Sequence, residues 1–334
     1  MDMSNKRRLI SLVNEYVAED ILYSYYCLLS TVFLWVLGYF LLLYDVPFYL
    51  KVVGVCVAAA LNVRFFVLYH DYCHRALFQR RNRVVDVIFS LFGLFIFFPK
   101  AQWVSSHDEH HSTNSIVNLG SESMFGNYLS GYFMVLDKKH WQALPPRKRW
   151  LYRFRRSPLA IMCGLPVFFV LPSMVKGMLE ARTCWASFVS LLIQTSILVV
   201  VFQWGGWTLV AFYLSPLFIA TAVGSYLFYV QHNFPQAKLY NRSQWDYIDA
   251  AMKSTSYFKM GPLMSWVTGN IGYHHIHHIN HRIPFYNLPK AMENILVLNE
   301  VEVTRWCFAD IHANFACNLW DEEGETFIRY NALR

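Results

Sequence analysis

The sequence predicts an all-α integral membrane protein with about four transmembrane helices arranged as two hairpins. Three observations support this fold class: four apolar stretches of membrane-crossing length, a small share of charged residues, and very short links between paired stretches. A crossing helix needs about 20 predominantly apolar residues. We also expect interfacial or re-entrant helices and a cytoplasmic helical cap.

The composition indicates that lipid is part of the solvent of this chain. Of the 334 residues, 55% are hydrophobic and only 15% are charged, whereas a soluble domain carries about 25% charged residues. A net charge of +7 could indicate nucleic acid, but the apolar content argues against that partner. The basic clusters stand beside apolar stretches, as in cytoplasmic segments that face lipid headgroups: 6–8, 80–83 and 147–156. We therefore expect one membrane-embedded domain over residues 1–334.

Each predicted hairpin consists of two apolar stretches and a tight turn. The Asp45-Val46-Pro47 link joins the first pair, and the Trp204-Gly205-Gly206-Trp207 link, with tryptophans suited to a bilayer interface, joins the second pair. The four predicted crossings are Tyr25–Tyr44, Phe48–Tyr69, Ala186–Gln203 and Gly206–Val230.

Two shorter apolar runs, Val84–Phe98 and Leu159–Val175, are interpreted as interfacial or re-entrant. The uncharged turns should face outward and the basic segments inward. If Leu159–Val175 crossed the bilayer, His232 would lie on the outer side, away from the other clustered histidines. The basic 147–156 segment itself is interpreted as a solvated, headgroup-facing surface rather than a docking site.

Cysteine usage and the chain start add two expectations. Seven scattered cysteines without a CxxC pair predict a reducing compartment and no disulfide framework. The first 20 residues lack the apolar core of a cleavable signal peptide. The more polar region from Gln231 onward is expected to form a cytoplasmic cap on the membrane part.

Nine of the 13 histidines stand in three short clusters or at the end of the last apolar stretch. Residues four apart share a helix face, and an i, i+3, i+4 pattern places three rings on one face. The topology brings all of these histidines to one side of the membrane, where so many imidazoles indicate a metal site. They are His70 and His74; His107, His110 and His111; His232; and His274, His277 and His278.

Iron with open coordination positions is the metal that best explains so many ligands, because structural zinc favours four ligands and often cysteine. Asp71, Asp108 and Glu109 could accept hydrogen bonds from the rings. We expect His275 and His281 to be supporting or headgroup-contacting residues, because they lie off the shared faces. The isolated His140 and His312 are expected to be structural.

The HxxxH, HxxHH and HxxHH motifs, in this order, resemble those of the membrane fatty acid desaturase family. The segments Tyr229–Phe234 and Thr268–His278, with Trp245-Asp246 between them, resemble the acyl-lipid Δ12 (omega-6) branch. The similarity is strongest over about residues 60–290. It implies that the nine histidines hold two iron ions in a cytosolic cap, and that the enzyme uses O2 to introduce a cis double bond into a lipid- or carrier-bound acyl chain.

The resemblance also implies an external electron donor, such as ferredoxin, rubredoxin or cytochrome b5, because no His-Pro-Gly-Gly motif of a fused cytochrome occurs. One position departs from the animal acyl-CoA branch: Phe228 stands where that branch has an asparagine, four residues before His232. A hydroxylase or ketolase on the same scaffold is the alternative. A metal transporter is disfavoured, because transporters bind cargo near the bilayer midplane whereas these clusters lie outside the apolar stretches.

Overall fold

The structure is a computed structural model that describes residues 1–119, 133–163, 170–180 and 183–333. It is mostly helical, as predicted, with two small sheets in the polar C-terminal region. The helices are α1 (Met3–Asn14), α2 (Ile21–Leu43), α3 (Phe48–Cys73), α4 (Arg83–Phe95), α5 (Lys100–Thr113), α6 (Lys138–Ala143), α7 (Pro146–Arg155), α8 (Pro158–Cys163), α9 (Leu171–Leu179), α10 (Cys184–Val230), α11 (Tyr247–Lys253), α12 (Pro262–Val267), α13 (His274–Ile279), α14 (Leu288–Asn294) and α15 (Phe308–Phe315). The strands are β1 (Tyr257–Lys259), β2 (Val303–Arg305), β3 (Leu319–Asp321) and β4 (Thr326–Ile328).

Helices α2 and α3 form the first hairpin, and both are long and apolar enough to cross a membrane. The Asp20 side chain caps α2 by accepting from the Tyr23 N–H at 3.0 Å. Between the helices, Trp35 Nε1 donates to Asn62 Oδ1 at 2.9 Å and Asn62 Nδ2 donates to the Tyr39 hydroxyl at 3.0 Å. These polar groups are therefore satisfied inside an otherwise apolar contact, as lipid surroundings require.

Helix α10 contains the second hairpin. Its 47 residues include a break at Gly205 and Gly206, where Gly206 has φ 61° and ψ −158°, a conformation that is essentially restricted to glycine. Tyr213 donates through its hydroxyl to Gln194 Oε1 at 2.9 Å. A straight helix would separate these residues by about 28 Å, so the two arms fold back on each other as predicted.

Helix α4 ends inside the predicted short apolar run, and the chain bends by 81° into α5. The break leaves carbonyl groups without helical partners. Side chains of α10 satisfy two of them: Ser190 donates to the Leu94 carbonyl and Gln194 donates to the Phe95 carbonyl. This bonding explains how α4 ends within an apolar environment. The middle of the Leu159–Val175 run, residues 164–169, lies outside the described residues.

The C-terminal cap packs on the ends of the membrane helices. Strands β1 and β2 pair in parallel, and β3 and β4 pair antiparallel; strands this short have no clear periodicity in the sequence. Arg64 of α3 anchors the cap, since it donates to the Trp266 carbonyl and its guanidinium lies 4.0 Å from the Trp266 ring centroid. Helix α1 adds the buried Leu9 and Val13 to the core.

The basic 147–156 segment differs in part from the sequence interpretation. Its last two residues, Arg155 and Arg156, are buried instead of solvated. Arg156 donates to the carbonyls of Met134 and Cys317 and to Asn233 Oδ1, at 3.0, 2.7 and 2.7 Å. A guanidinium can be buried when its N–H groups are bonded in this way.

Candidate metal centre

The first histidine pair lies at the end of α3, which continues past the apolar stretch to Cys73 and has His74 as its C-cap. His70 Nδ1 donates to Asp71 Oδ1 at 3.0 Å. The other Asp71 oxygen accepts from the Phe285 N–H at 2.9 Å. The carboxylate thus fixes a proton on His70 Nδ1 and leaves His70 Nε2 with an available lone pair.

The second and third clusters lie on the predicted helices, α5 and α13. Their side chains do not converge on one point, as a single shared face suggested, but divide between two groups. In each cluster the i and i+4 histidines join one group, and the i+3 histidine joins the other group. All nine predicted histidines are buried and fall into a five-histidine group (His70, His74, His107, His111, His277) and a four-histidine group (His110, His232, His274, His278).

Within each group the ring nitrogens are close enough to share a cation: all candidate ligand atoms lie within 4.8 Å of one another. The Nε2–Nε2 distances are 2.8 Å for His70–His107, 3.1 Å for His111–His277 and 3.2 Å for His232–His274. These distances are close to the separation of about 3.0 Å between two nitrogen ligands that bind one metal at a right angle with bonds of about 2.1 Å.

Two further observations fit a metal. His74 Nε2 is buried and has no hydrogen-bond partner among the described residues, so a cation would satisfy it. His232 Nδ1 lies 3.2 Å from the Ser254 carbonyl. Because a carbonyl only accepts, this nitrogen carries the proton and Nε2 is free to bind a metal.

The electrostatic surroundings favour neutral imidazoles, the form that binds metals. Burial lowers the pKa of His232 to about 4. Burial, reinforced by neighbouring histidines, holds the pKa of His274, His277 and His278 well below the ordinary value. The pKa of His74 is likewise lowered well below its usual range.

The remaining polar residues named from the sequence have different positions. Asp108 and Glu109 are exposed, unlike the buried Asp71, because they lie on the outer side of α5. His275 is buried and His281 is half-buried, and neither belongs to the two groups. The His281 ring contacts the His74 ring, with 4.5 Å between centroids.

Several neighbours of the histidines were not identified from the sequence. Trp103 stacks on His107 at a centroid distance of 4.8 Å. It lies four residues before His107, so helical spacing could have revealed this contact. The Asn114 amide lies 2.8 Å from His278 Nδ1. Phe228, by contrast, was already singled out in the sequence as the residue four before His232. Its ring centroid lies 6.1 Å from those of both His107 and His110, so an apolar ring borders both groups.

Long apolar helices and two buried histidine groups that could each hold a metal ion are features of a membrane metalloprotein. The profile described as "Fatty acid desaturase" matches residues 47–300. The chain therefore belongs to the fatty acid desaturase family and is an oxidoreductase of the desaturase class.

Three relatives illustrate the similarity. A "Fatty acid desaturase" of Bacillus subtilis is 30% identical over 307 residues, which cover 90% of this chain and 83% of the relative. The "sn-1 oleoyl-lipid 12-desaturase" of Picosynechococcus sp. is 25% identical, covering 78% and 73%. The "sn-1 acyl-lipid omega-3 desaturase (ferredoxin)" of Nostoc sp. is 28% identical, covering 69% and 63%.

Proposed function

We propose that this protein is an O2-dependent acyl desaturase whose nine clustered histidines hold two iron ions. The observation that carries the proposal is the division of nine buried imidazoles into groups of five and four with ligand-like spacing. Iron held by these histidines would supply redox chemistry and O2 activation. Residues 1–334 act as one catalytic domain in this proposal.

The overall reaction is balanced with an external source of electrons. An acyl –CH2–CH2– unit, O2, two electrons and two protons give –CH=CH– and two molecules of water. The protein contributes the position of the two adjacent carbons relative to the metal pair, because orientation decides which hydrogens are removed.

The residues around the histidines supply orientation and exclusion of water. Asp71 and the Ser254 carbonyl hold protons on His70 Nδ1 and His232 Nδ1, which directs both Nε2 atoms inward. The rings of Trp103 and Phe228 border the histidines with apolar surface. Such a wall suits an acyl chain and keeps bulk water away from the reacting carbons.

The substrate, donor and orientation are further parts of the proposal. The segments that resemble the Δ12 branch support an acyl-lipid substrate and a cis double bond of the Δ12 type. The name of the Nostoc relative includes ferredoxin, which supports a ferredoxin-like donor. We place the histidines on the cytoplasmic face of a protein that crosses the membrane four times, because the basic segments favour that side.

The test is expression in a host that lacks the activity, with fatty acid profiling and double-bond location. We expect a new unsaturated acyl chain that requires both O2 and a reductant, and close to two irons per purified chain. Hydroxy or keto acids as the sole products would assign the chain to the alternative chemistry. Full O2-dependent activity in a stable zinc-only protein would contradict the iron assignment.

A further inference from the structure

Helices α6 and α7 carry an exposed basic surface that is separate in sequence from the nine clustered histidines. We name it the basic platform and define it by Lys138, Lys139, Arg147, Lys148 and Arg153, all of which are exposed. The sequence contains no acidic residue between Asp137 and Glu180. Within the described parts of the chain, none of the five platform residues forms an ion pair.

The placement of these charges is unfavourable for the helices themselves. Lys138 and Lys139 begin α6, and Arg147 and Lys148 stand in the first turn of α7. Positive charges at a helix N-terminus oppose the helix dipole, which favours acidic residues there. Helix stability therefore does not explain the platform.

The platform has the features of a protein-binding surface. Pro146, Arg147, Trp150 and Leu151 line a surface pocket, and Trp150 is 65% exposed. Arginine and tryptophan are the residues that most often dominate protein interfaces. Arg153 is held in place, since its guanidinium lies 5.1 Å from the Trp141 ring and 4.8 Å from the Tyr330 ring.

Helix α7 also connects the platform to the histidines. Arg156 directly follows α7, and its Nη2 donates to Asn233 Oδ1 at 2.7 Å. Asn233 is the residue after His232, a member of the four-histidine group. A single side-chain hydrogen bond thus separates the end of the platform helix from the backbone beside this group.

We propose that the basic platform is the docking surface for an acidic, one-electron carrier protein. The inference rests on the proposed function, in which each turnover consumes two electrons, so two reduced carriers dock in succession and each is oxidised by one electron. A lipid headgroup would match the positive charge of the platform. It would not use the hydrogen bond from Arg156 to Asn233, which connects the platform helix to the four-histidine group. Helix α6 also packs against β3 of the cap.

The test compares two charge-reversal variants of the full chain in nanodiscs. Arg147→Glu/Lys148→Glu changes the platform, and Glu is favourable in the first turn of α7, so folding is preserved. Arg242→Glu/Lys290→Glu makes the same charge change at exposed cap positions outside the platform and serves as the control. Turnover is measured with reduced ferredoxin and, separately, with dithionite and methyl viologen.

The platform variant should raise the KM for ferredoxin by about 10- to 100-fold at low salt, and added salt should shrink the difference. Its turnover with dithionite and its melting temperature should match those of the wild type. The control should keep the wild-type KM. Ferredoxin binding measured by thermophoresis should weaken to the same degree as the KM rises.

Direct binding separates failure of this inference from failure of the proposed function. An unchanged Kd in the platform variant overturns the docking surface, whether or not the chain desaturates acyl groups. A wild-type protein that binds ferredoxin at the platform but forms no unsaturated product overturns the proposed reaction and keeps the docking surface. The platform variant could instead keep the wild-type ferredoxin kinetics while its turnover no longer depends on the phosphatidylglycerol content of the nanodisc. That result would identify a surface for lipid headgroups and overturn the proposal.

Discussion

The Asp71 carboxylate accepts a hydrogen bond from the Phe285 N–H at 2.9 Å, although the two residues are 214 positions apart in the chain. Its second oxygen accepts from His70 Nδ1. One buried side chain therefore links the first histidine pair to the loop that follows the third cluster. This link both orients an imidazole and holds the cap against α3.

Replacing Asp71 by Asn should weaken iron binding by about 10- to 100-fold. An amide offers only one acceptor, so its NH2 group would face the N–H of either His70 or Phe285. Iron retention in competition with a chelator measures the effect. Asp108→Asn is the matched control, because Asp108 is exposed, and an equal loss in both variants would contradict the assigned role of Asp71.

His232 and His275 should respond differently to substitution by Ala. His232 belongs to the four-histidine group, whereas His275 is buried outside both groups. We expect His232→Ala to lose iron and nearly all activity, because ligand loss changes both metal affinity and redox properties. His275→Ala should retain iron and part of the activity.

Iron analysis and turnover of the His232 and His275 variants should be measured side by side, with membrane yield as the check on folding. Wild-type iron and turnover in His232→Ala would leave only the eight histidines of the three motifs as ligands. Iron loss in His275→Ala at normal yield would assign that residue to the centre.

Acid should destabilise the metal-free protein. Burial lowers the pKa of His232 from 6.5 to about 4, so the unfolded state binds the proton more readily. This contribution is fully present above about pH 6.5 and declines as the pH falls towards 4. From pH 7 to pH 5, His232 alone should reduce the free energy of unfolding by about 2 kcal/mol.

Melting of chelator-treated protein at pH 7, 6 and 5 measures this dependence. His74, His274, His277 and His278 act in the same direction, since the pKa of each is lowered. The carboxyl groups of Asp246 and Asp249 do not cause this decline, because the pKa of each is lowered from 3.8 and both stay ionised between pH 7 and pH 5. His232→Gln should show a shallower decline than the wild type, and an identical slope would contradict the assignment.

Gly206→Ala should destabilise the second hairpin by about 1–3 kcal/mol, because φ 61° with ψ −158° is strained for any residue with a Cβ. Gly224→Ala is the control: Gly224 lies within the helical part of α10, and among the described residues no atom beyond its chain neighbours and the nearby helix backbone lies within 4 Å of an added Cβ. Ala at that position should be neutral or stabilising. Equal melting temperatures for the two variants would argue against a special role for the Gly206 conformation.

The sequence was most informative where a pattern is local. Helical spacing identified eight of the nine histidines that the structure brings together, and the end of the last apolar stretch identified the ninth, His232. The apolar stretches with their Pro and Gly turns predicted both hairpins. Four crossings, the cytoplasmic orientation and the ligand roles remain predictions.

Tertiary relationships were not accessible from the pattern. Whether His110 points to the same group as its neighbour His111 depends on how α5 and α13 face each other. The Ser254 carbonyl and the Phe285 N–H are backbone atoms, which every residue has, so no residue type signals them. The burial of Arg156 likewise depends on carbonyls from distant segments.

The wide spacing of the histidines along the chain has a consequence for biosynthesis. The four-histidine group unites His110 with His278, so it cannot form until both hairpins and most of the cap have been translated. A site assembled from distant segments exists only in the folded protein. Metal insertion at the four-histidine group is therefore expected to be a late step that follows translation and membrane integration. Nascent chains arrested before residue 274 still lack two of its four histidines and should hold no metal at that group.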